Sequence, residues 1–560
     1  MGENLKANES QTITTPSSQA YPSWYSPKTG IYHSKHTSMN LPTEPFADVV
    51  SYIFSQKHEG ENALVDSSTG VSIPYSQLYP SVKAVASGLH HMGVKQGDVV
   101  LILLPNSIIF PIIFLGVLSL GATIAPMNPV SNPLEIKKQT KDCKVKLAFT
   151  TPEKVEQLKS AGLQFPTIPV QENIIPGSIF HTIITSDPNF APKPIINQEH
   201  AAAIMFSSGT TGACKGVVLT HKNFIAMVAL FIRFEASQYK ELSPSKNVYL
   251  AVLPMFHIFG LAQFVTGLLS LGTTIIVMKK FDPEEMIRAI EKFRVTHFPV
   301  VPPLMNALTK KARTLPNSSE ILKSLKQVSS GAAPLTTKAI QEFVQALPHV
   351  DFIQGYGMTE TTAVATRGFN TNELKNYTSV GLLAPNSEAK VVDWVSGESM
   401  PPGGVGELWL RSPGVMKCYL KNPEETINNV DKDGWLHTGD IVYFDQDGYL
   451  YVIDRLKEVI KYKGFQISPA DLESVLMSHP EVVDAAVTAI TDEEAGEIPV
   501  AFVVRKKGSK LSETSLMDFV ATKVSPYKKV RKVCFTNVVP RSAAGKIIRR
   551  ELKNILPSRL

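Results

Sequence analysis

The densest chemistry in the chain lies in ten residues, Ser207-Ser208-Gly209-Thr210-Thr211-Gly212-Ala213-Cys214-Lys215-Gly216, directly after an apolar run at 201–206 that reads as a strand. Small residues let the backbone turn tightly and aim successive N–H groups at phosphate oxygens. The hydroxyls add donors and Lys215 adds charge. A nucleotide-binding P-loop of the G-x-x-x-x-G-K-[ST] type is excluded, because Cys214 takes the place of its second glycine and Gly216 follows the lysine. A polar surface turn is the plain alternative; so much glycine and hydroxyl behind a strand favours phosphate binding. A second group is Gln354-Gly355-Tyr356-Gly357-Met358-Thr359-Glu360. It fails as a dinucleotide fingerprint, since Glu360 stands where a third glycine is needed. An aromatic, a threonine and a carboxylate on one loop can hold a nucleobase and a magnesium ion. Taken alone, the segment reads equally well as a tight turn.

Such loops need a scaffold, and the surrounding pattern supplies one. From about residue 49, apolar runs alternate with helical stretches: strands at 98–104, 146–150, 248–253, 274–278 and 297–301, helices at 109–120 and 283–293. That alternation predicts parallel α/β sheets. Beyond about residue 380, short β-like runs at 389–392 and 406–411 are separated by Pro402-Gly403, Asp433-Gly434 and Asp447-Gly448, which predicts a β-rich module. The last hundred residues read as a small α+β domain: strands at 450–453, 485–490 and 501–505, helices at 469–478 and 516–523. The charged stretch Asp454-Arg455-Leu456-Lys457-Glu458 is placed to be the hinge before it.

Composition narrows the function classes. In 560 residues, 43% are hydrophobic and 19% charged, which is globular composition. The net charge of +6 attracts anionic substrates, and no basic run is interleaved with aromatics, so no nucleic-acid partner is expected. The four cysteines (Cys143, Cys214, Cys418, Cys534) form no C-x-x-C pair and no zinc spacing, a pattern suited to a reducing compartment. Residues 1–23 are polar and lack the apolar core of a secretory signal. Residues 107–127 carry no charge, but Pro111, Gly116, Ser119 and Gly121 interrupt them, so a buried strand–turn–helix unit is expected and not a membrane span.

Seven segments stand in one order: SSGTTGACKG (207–216), PMFHIFG (254–260), SGAAPL (330–335), GYGMTE (355–360), HTGD (437–440), DRLKEVIKYKGFQISPADLE (454–473) and SAAGKIIRREL (542–552). The set resembles the adenylate-forming acyl-CoA synthetases, most closely the plant 4-coumarate:CoA ligases and their relatives, from about Thr29 to the C-terminus. The resemblance implies a flexible tail (1–28), a large AMP- and acyl-binding domain (29–454) of two α/β sheet subdomains plus a β-rich barrel-like module, and a small mobile α+β domain (455–560). It implies ATP, Mg2+ and coenzyme A as cosubstrates or cofactors. Ser207, Ser208, Gly209, Thr210, Thr211, Gly212 and Lys215 are expected at the ATP phosphates, and Ala332, Gln354, Gly355 and Tyr356 around the adenylate. Thr359 is expected at a phosphate, Glu360 at magnesium, Asp440 at the ribose hydroxyls, and Arg455, Lys457 (the hinge) and Lys461 at the nucleotide side of the domain junction. Lys546 matches the lysine that reaches the reacting carboxylate and α-phosphate. Lys280, Lys463 and Gly464 match CoA positions. His257 is expected as a gate or pocket wall, and Phe259, Gln263, Val301, Gly331 and Val364 as the acyl pocket.

Three departures from the family pattern stand out. Cys214 replaces a common proline of the phosphate loop. Ser412 replaces a common glycine, at a place expected to be structural and far from the chemistry. Phe259 stands where 4-coumarate ligases usually carry a tyrosine, which removes a hydroxyl partner for a phenol and favours a less polar acid: a fatty acid, a jasmonate-precursor acid or cinnamate. The chain ends Ser558-Arg559-Leu560, close to the Ser-Lys-Leu peroxisomal address, with Pro557 ending the preceding helix, so a peroxisomal import receptor is the expected partner. The rival readings are luciferase-like or adenylate-only chemistry on the same fold, a non-catalytic acyl- or nucleotide-binding protein, and a membrane transport component.

Overall fold

The structure is a computed structural model that describes residues 21–171, 174–207, 215–238, 243–371, 374–463, 465–492, 495–542 and 545–553. The expected alternation of strands and helices yields two large α/β sheets. One has seven strands in the order Cys418–Tyr419, Lys215–Thr220, Ala201–Ser207, Thr123–Pro126, Val99–Leu103, Val145–Thr150, Thr167–Pro169. The other has nine, with Gln327–Ser330 and Asp351–Tyr356 side by side and parallel near one end. The β-rich module is a six-stranded antiparallel sheet that includes Glu388–Val392, Gly406–Arg411, Leu436–Phe444 and Leu450–Arg455. C-terminal of these, five strands and the helices Pro469–Met477 and Glu513–Ala521 enclose a core of their own, built on Ile460, Leu472, Val487, Val503, Leu516 and Val533.

Local chemistry explains individual elements. The helix Pro283–Phe293 starts where the Asp282 carboxylate accepts the N–H groups of Glu284 (3.0 Å) and Glu285 (2.8 Å), with proline at its first position and acids in its first turn. It ends at Arg294, whose positive φ of 55° breaks the helical run. Met286, Ile287, Ala289 and Ile290 form its buried stripe. The uncharged segment at 107–127 resolves into the helix Phe110–Ser119, buried through Leu118, and the buried strand Thr123–Pro126. Among the described residues no helix is long and apolar enough to cross a membrane.

Topology then places the loops. Ser330 and Gln354 are directly opposite at the C-terminal ends of parallel strands, so SGAAPL and GYGMTE emerge at one sheet edge, where open α/β sheets bind ligands. Ser207 and Lys215 face each other across an antiparallel pair, so the segment between them joins two neighbouring strands. Its residues Ser208, Gly209, Thr210, Thr211, Gly212 and Cys214 lie outside the described residues, as do Gly464 and the tail Ser558-Arg559-Leu560.

Candidate active site

Two carboxylates anchor the site. Glu360 lies in the short turn Thr359–Thr361 after the strand Asp351–Tyr356, and is buried. Its Oε1 accepts the hydroxyl of Tyr419 at 3.0 Å and that of Ser207 at 3.3 Å. Asp440, in the strand Leu436–Phe444, is also buried; it accepts the phenol of Tyr356 at 2.6 Å and pairs with Arg455 Nε at 3.3 Å. Asp440 and Arg455 are ladder partners on adjacent strands, which fixes their approach. Burial, reinforced by the Asp440 charge, pushes the Tyr356 phenol well above its usual range, so it stays a donor.

The turns between these groups carry unusual backbone. Ala332, Thr362 and Ala363 have positive φ (70°, 53° and 87°), a cost that side chains other than glycine rarely meet away from functional sites. A Cβ on Gly357 would lie 1.9 Å from the Ala363 carbonyl oxygen, so only glycine fits there. Gln354 is buried and donates to the Tyr377 carbonyl at 2.8 Å, and Gly355 pairs with Arg367 on the strand Thr366–Arg367.

Lys546 reaches this site from the C-terminal region. Its loop is tied by Ser542, whose N–H donates to the Lys546 carbonyl (2.8 Å) and whose Oγ accepts the Lys546 N–H (3.2 Å), and by Arg541, which donates to the Gly545 carbonyl (3.0 Å) and pairs with Asp484 (2.8 Å). A Cβ built on Gly545 would lie 3.2 Å from Pro303 Cδ and 3.7 Å from Val301 Cβ, so the loop sits against the start of the helix Pro302–Thr314. Burial and the Arg455 charge pull the Lys546 ammonium below its usual range, against the opposite pull of Asp440, Glu360 and Glu458. Burial, with the Lys546 charge added, pushes His257 down to about 4, so its imidazole is neutral; its Nδ1 accepts the Phe259 N–H at 3.3 Å. Among the described residues, no hydrogen bond or ion pair occupies the Lys546 ammonium.

Other expected residues fall in three groups. Phe259 and Gly331 are neighbours, with the ring 3.4 Å from a Cβ built on that glycine. Val301 borders the Lys546 loop, Val364 borders Gly357, and Gln263 is buried with its amide nitrogen unpartnered. Lys215 makes a close ion pair with Glu425 and lies 5.0 Å from the Tyr419 ring centre. Lys280, Lys461 and Lys463 are not brought into this cluster: all three are exposed, and Lys463 has a positive φ of 46°. Lys457, exposed in the turn after Arg455, lies near enough to Glu425 for its charge to help the Lys215 hydrogen bond hold that carboxyl below its usual range. Among the described residues no group of three or more His, Cys, Asp or Glu can hold a metal. Glu360 with the Ser207 hydroxyl suits a magnesium ion, which takes one or two carboxylates and completes its shell with phosphate oxygens and water.

Some residues that shape the site had escaped notice in the sequence, and others had been given a different place. Tyr419 and Glu425 lie between the recognised motifs and contact Glu360 and Lys215. Ser412 is nearer the chemistry than expected: its Oγ accepts the Gly414 N–H (3.2 Å) in a turn whose Met416 N–H donates to the Glu360 carbonyl (2.9 Å). Asp454, buried before the Lys457 turn, accepts the Ala470 N–H (3.1 Å) and a close hydroxyl bond from Ser468, tying the strand Leu450–Arg455 to the start of the helix Pro469–Met477. Arg549 is held between Glu458 and Glu473, each at 2.9 Å. Asp454, Glu458 and Glu473 do fall within the long motif, but only their spatial partners give them a purpose.

Comparison with known proteins identifies the family. The family model described as "AMP-binding enzyme" matches residues 53–420, and that described as "AMP-binding enzyme C-terminal domain" matches 471–546. The chain is 58% identical to 4-coumarate–CoA ligase-like 6 of Arabidopsis thaliana, over 97% of this chain and 96% of that protein. It is 41% identical to peroxisomal OPC-8:0-CoA ligase 1 of the same plant, over 94% and 96%. Among solved structures, ATP-bound MatB from Rhodopseudomonas palustris superposes with a TM-score of 0.82 at 25% identity, over 90% of this chain and 98% of that one.

Proposed function

The chain belongs to the AMP-binding enzyme family and is a CoA ligase, and from that premise we propose that it activates a carboxylic acid in two half-reactions. In the first, a carboxylate oxygen attacks the α-phosphorus of ATP, the bond to the β-phosphate oxygen breaks, and pyrophosphate leaves. In the second, the CoA thiolate attacks the acyl carbonyl, the bond to the adenylate oxygen breaks, and AMP leaves. The first step brings two anions together, so preorganised positive charge is the main requirement. Lys546 meets it: its ammonium is uncommitted and it lies within the field of Asp440, Glu360 and Arg455. That is the observation on which this reading rests.

Each remaining group has a part suited to its chemistry. Asp440, an acceptor held by Tyr356 and Arg455, is placed to take both ribose hydroxyls. Ala332, Gln354, Gly355 and Tyr356 form the adenine and adenylate walls. Thr359 and the segment 207–215 take the phosphates, with Lys215 exchanging Glu425 for an anionic oxygen. Glu360 holds magnesium, which neutralises phosphate charge when bound. The neutral His257 walls the passage between Lys546 and the acyl side without repelling the lysine. Lys457 serves as the pivot that turns the small domain so that Lys463 and Gly464 replace Lys546 and meet CoA with Lys280.

The acid is aromatic, fatty or a jasmonate precursor, and the site of action is the peroxisome. The naming of a 41%-identical relative as a peroxisomal OPC-8:0-CoA ligase supports both, together with the Ser558-Arg559-Leu560 ending. Purified chain with ATP, magnesium and a panel of cinnamates, benzoates, fatty acids and cyclopentanone acids should release pyrophosphate, and release AMP only when CoA is added. Pyrophosphate without any thioester product would establish adenylate-only chemistry instead. A fluorescent protein carrying the last ten residues should enter peroxisomes and lose that location without Leu560.

A further inference from the structure

The strand Leu436–Phe444 delivers Asp440 through an irregularity in its pairing. Against the neighbouring strand Gly406–Arg411, Ile441 stands opposite Glu407 and His437 opposite Trp409, so Thr438, Gly439 and Asp440 together face the single residue Leu408. A bulge of this kind re-aims a side chain and leaves backbone groups without their ladder partners. Those groups must be satisfied in another way. Thr438 does part of it: its hydroxyl donates to the Leu408 carbonyl at 2.7 Å and accepts the Asp440 N–H at 3.1 Å. Gly439 has a φ of 69°, in the left-handed region that suits glycine. Its carbonyl accepts the Leu456 N–H at 2.8 Å, and its N–H donates to Glu407 Oε1 at 3.0 Å.

Glu407 is half-buried, and its two oxygens are divided. Oε1 takes Gly439, while Oε2 takes the indole N–H of Trp409 at 3.0 Å. Trp409 in turn lies flat on the His437 ring, with centres 3.9 Å apart and planes 7° apart. That stack holds the donor that fixes one oxygen, and so keeps the other aimed at the residue before Asp440. A carboxylate suits this place because it is acceptor-only and meets two N–H donors. Asp440 is thereby held at both ends: its backbone through Thr438 and, by way of Gly439, Glu407, and its carboxylate through Tyr356 and Arg455.

We propose that Glu407 is a positioning residue for the nucleotide: by bonding the Gly439 N–H it fixes the bulge that aims the Asp440 carboxylate, and so sets the selectivity for a triphosphate that carries both ribose hydroxyls. This rests on the ligase reading above, with Asp440 as the ribose acceptor. Glu407 itself touches no substrate. Without its oxygen the Gly439 N–H turns to water, the bulge is left to Thr438, and the Asp440 carboxylate no longer meets two hydroxyls at once. A contact made equally before and during the reaction lowers KM without raising kcat, so the loss falls on KM for ATP.

The test follows pyrophosphate release, with an acid that the protein turns over, from ATP, 2′-deoxy-ATP and 3′-deoxy-ATP. Wild type should favour ATP over each analogue by about tenfold or more in kcat/KM, since each analogue leaves an acceptor unfilled. Glu407→Ala should bring that ratio to within about threefold of one, through a higher KM for ATP, with kcat for ATP near wild type. Glu407→Gln should fall between, because an amide offers one oxygen to two N–H donors and sets its own NH2 against the other. Trp409→Phe removes the second donor and keeps a ring against His437, so Glu407→Gln/Trp409→Phe should recover the wild-type ratio. A merely structural role predicts the opposite, a further loss on adding the second substitution. A wild-type ratio in Glu407→Ala, or parallel losses with all three nucleotides, overturns the proposal. If Glu407→Ala does not fold, the glutamine variants decide, and an equal ratio in the single and the double variant overturns it. Asp440→Asn separates the two readings. A ratio unmoved in Asp440→Asn removes Asp440 from the ribose, and this inference with it. A ratio lost in Asp440→Asn and kept in Glu407→Ala removes only the role of Glu407. No pyrophosphate with any acid would sink the ligase reading itself.

Discussion

The floor of the site and the loop that covers it are built on opposite plans. On the floor, Glu360 and Asp440 are buried and already engaged, by Tyr419 and Ser207 in one case and Tyr356 and Arg455 in the other. Their geometry is set by sheet register and does not await a ligand. In the covering loop, the backbone around Lys546 is tied by Ser542 and Arg541, while its ammonium is left for something else. A floor so bonded acts as a fixed template. A lysine with a fixed base and an uncommitted tip acts as a removable tool, which is what a chain that must present different groups in two half-reactions needs.

The sharpest way to break this comparison is to remove the tool. Lys546→Ala should slow acyl-adenylate formation by about 10²–10³, the loss expected for one electrostatic contact to the developing charge. Given acyl-adenylate and CoA, the same variant should form thioester at close to the wild-type rate. Single-turnover assays of the two halves decide it: equal losses would make Lys546 part of one fixed site.

The tie between floor and cover is next. Asp454→Ala deletes the acceptor for Ser468 and the Ala470 N–H. Loss of such an acceptor at a helix start is worth about 0.5–2 kcal/mol, so adenylation should fall by about twofold to thirtyfold. The thioester half should hold or rise, since the small domain is then less firmly kept in its present pose. A parallel fall in both halves would reduce Asp454 to a stabilising contact.

His257 reports on the same seating. An unfolded histidine titrates near 6.5, while burial and then Lys546 push His257 down to about 4. Between those values the unfolded chain binds a proton that the folded chain does not. His257 therefore withdraws stability as pH falls through 6.5, by up to about 1.4 kcal/mol per pH unit. Lys546→Met should raise the His257 value while leaving it below 6.5, because burial is the larger cause. Imidazole titration by NMR tests this, and an unmoved value would mean that the loop does not rest near His257 in solution.

The smallest effect sharpens the acyl end of the floor. Phe259→Tyr should shift relative kcat/KM toward 4-hydroxycinnamate over cinnamate by a few-fold, about 1 kcal/mol for one buried hydrogen bond. No shift, or one toward cinnamate, would mean that the ring of residue 259, beside Gly331, does not face the distal end of the acid.

Elements with their own start and stop signals were legible in advance. The helix read at 283–293 and the β-like run read at 406–411 both stand at those bounds in the structure. The strand Val482–Asp492 is longer than its apolar stretch indicated, because its ends are carried by pairing with Gly496–Arg505 and not by their own hydrophobicity. In the site, motif order pointed to Glu360, Asp440, Arg455 and Lys546. Tyr419 and Glu425 were invisible, since each is a common residue type in unremarkable local sequence and has meaning only through a distant partner.

The chain by itself determined the layout of α/β and β-rich parts, the family and the residue types that carry charge, because these depend on local propensity, periodicity and short motifs. Only the tertiary structure decided which of those charges are spent and which are left over. Lys215 and Lys546 are alike as letters in glycine-containing loops, yet one faces Glu425 and the other is held by its backbone alone. The reason is physical: a charge is committed or uncommitted according to what lies within a few ångströms, and neighbours hundreds of residues apart are brought that close only by sheet register and packing.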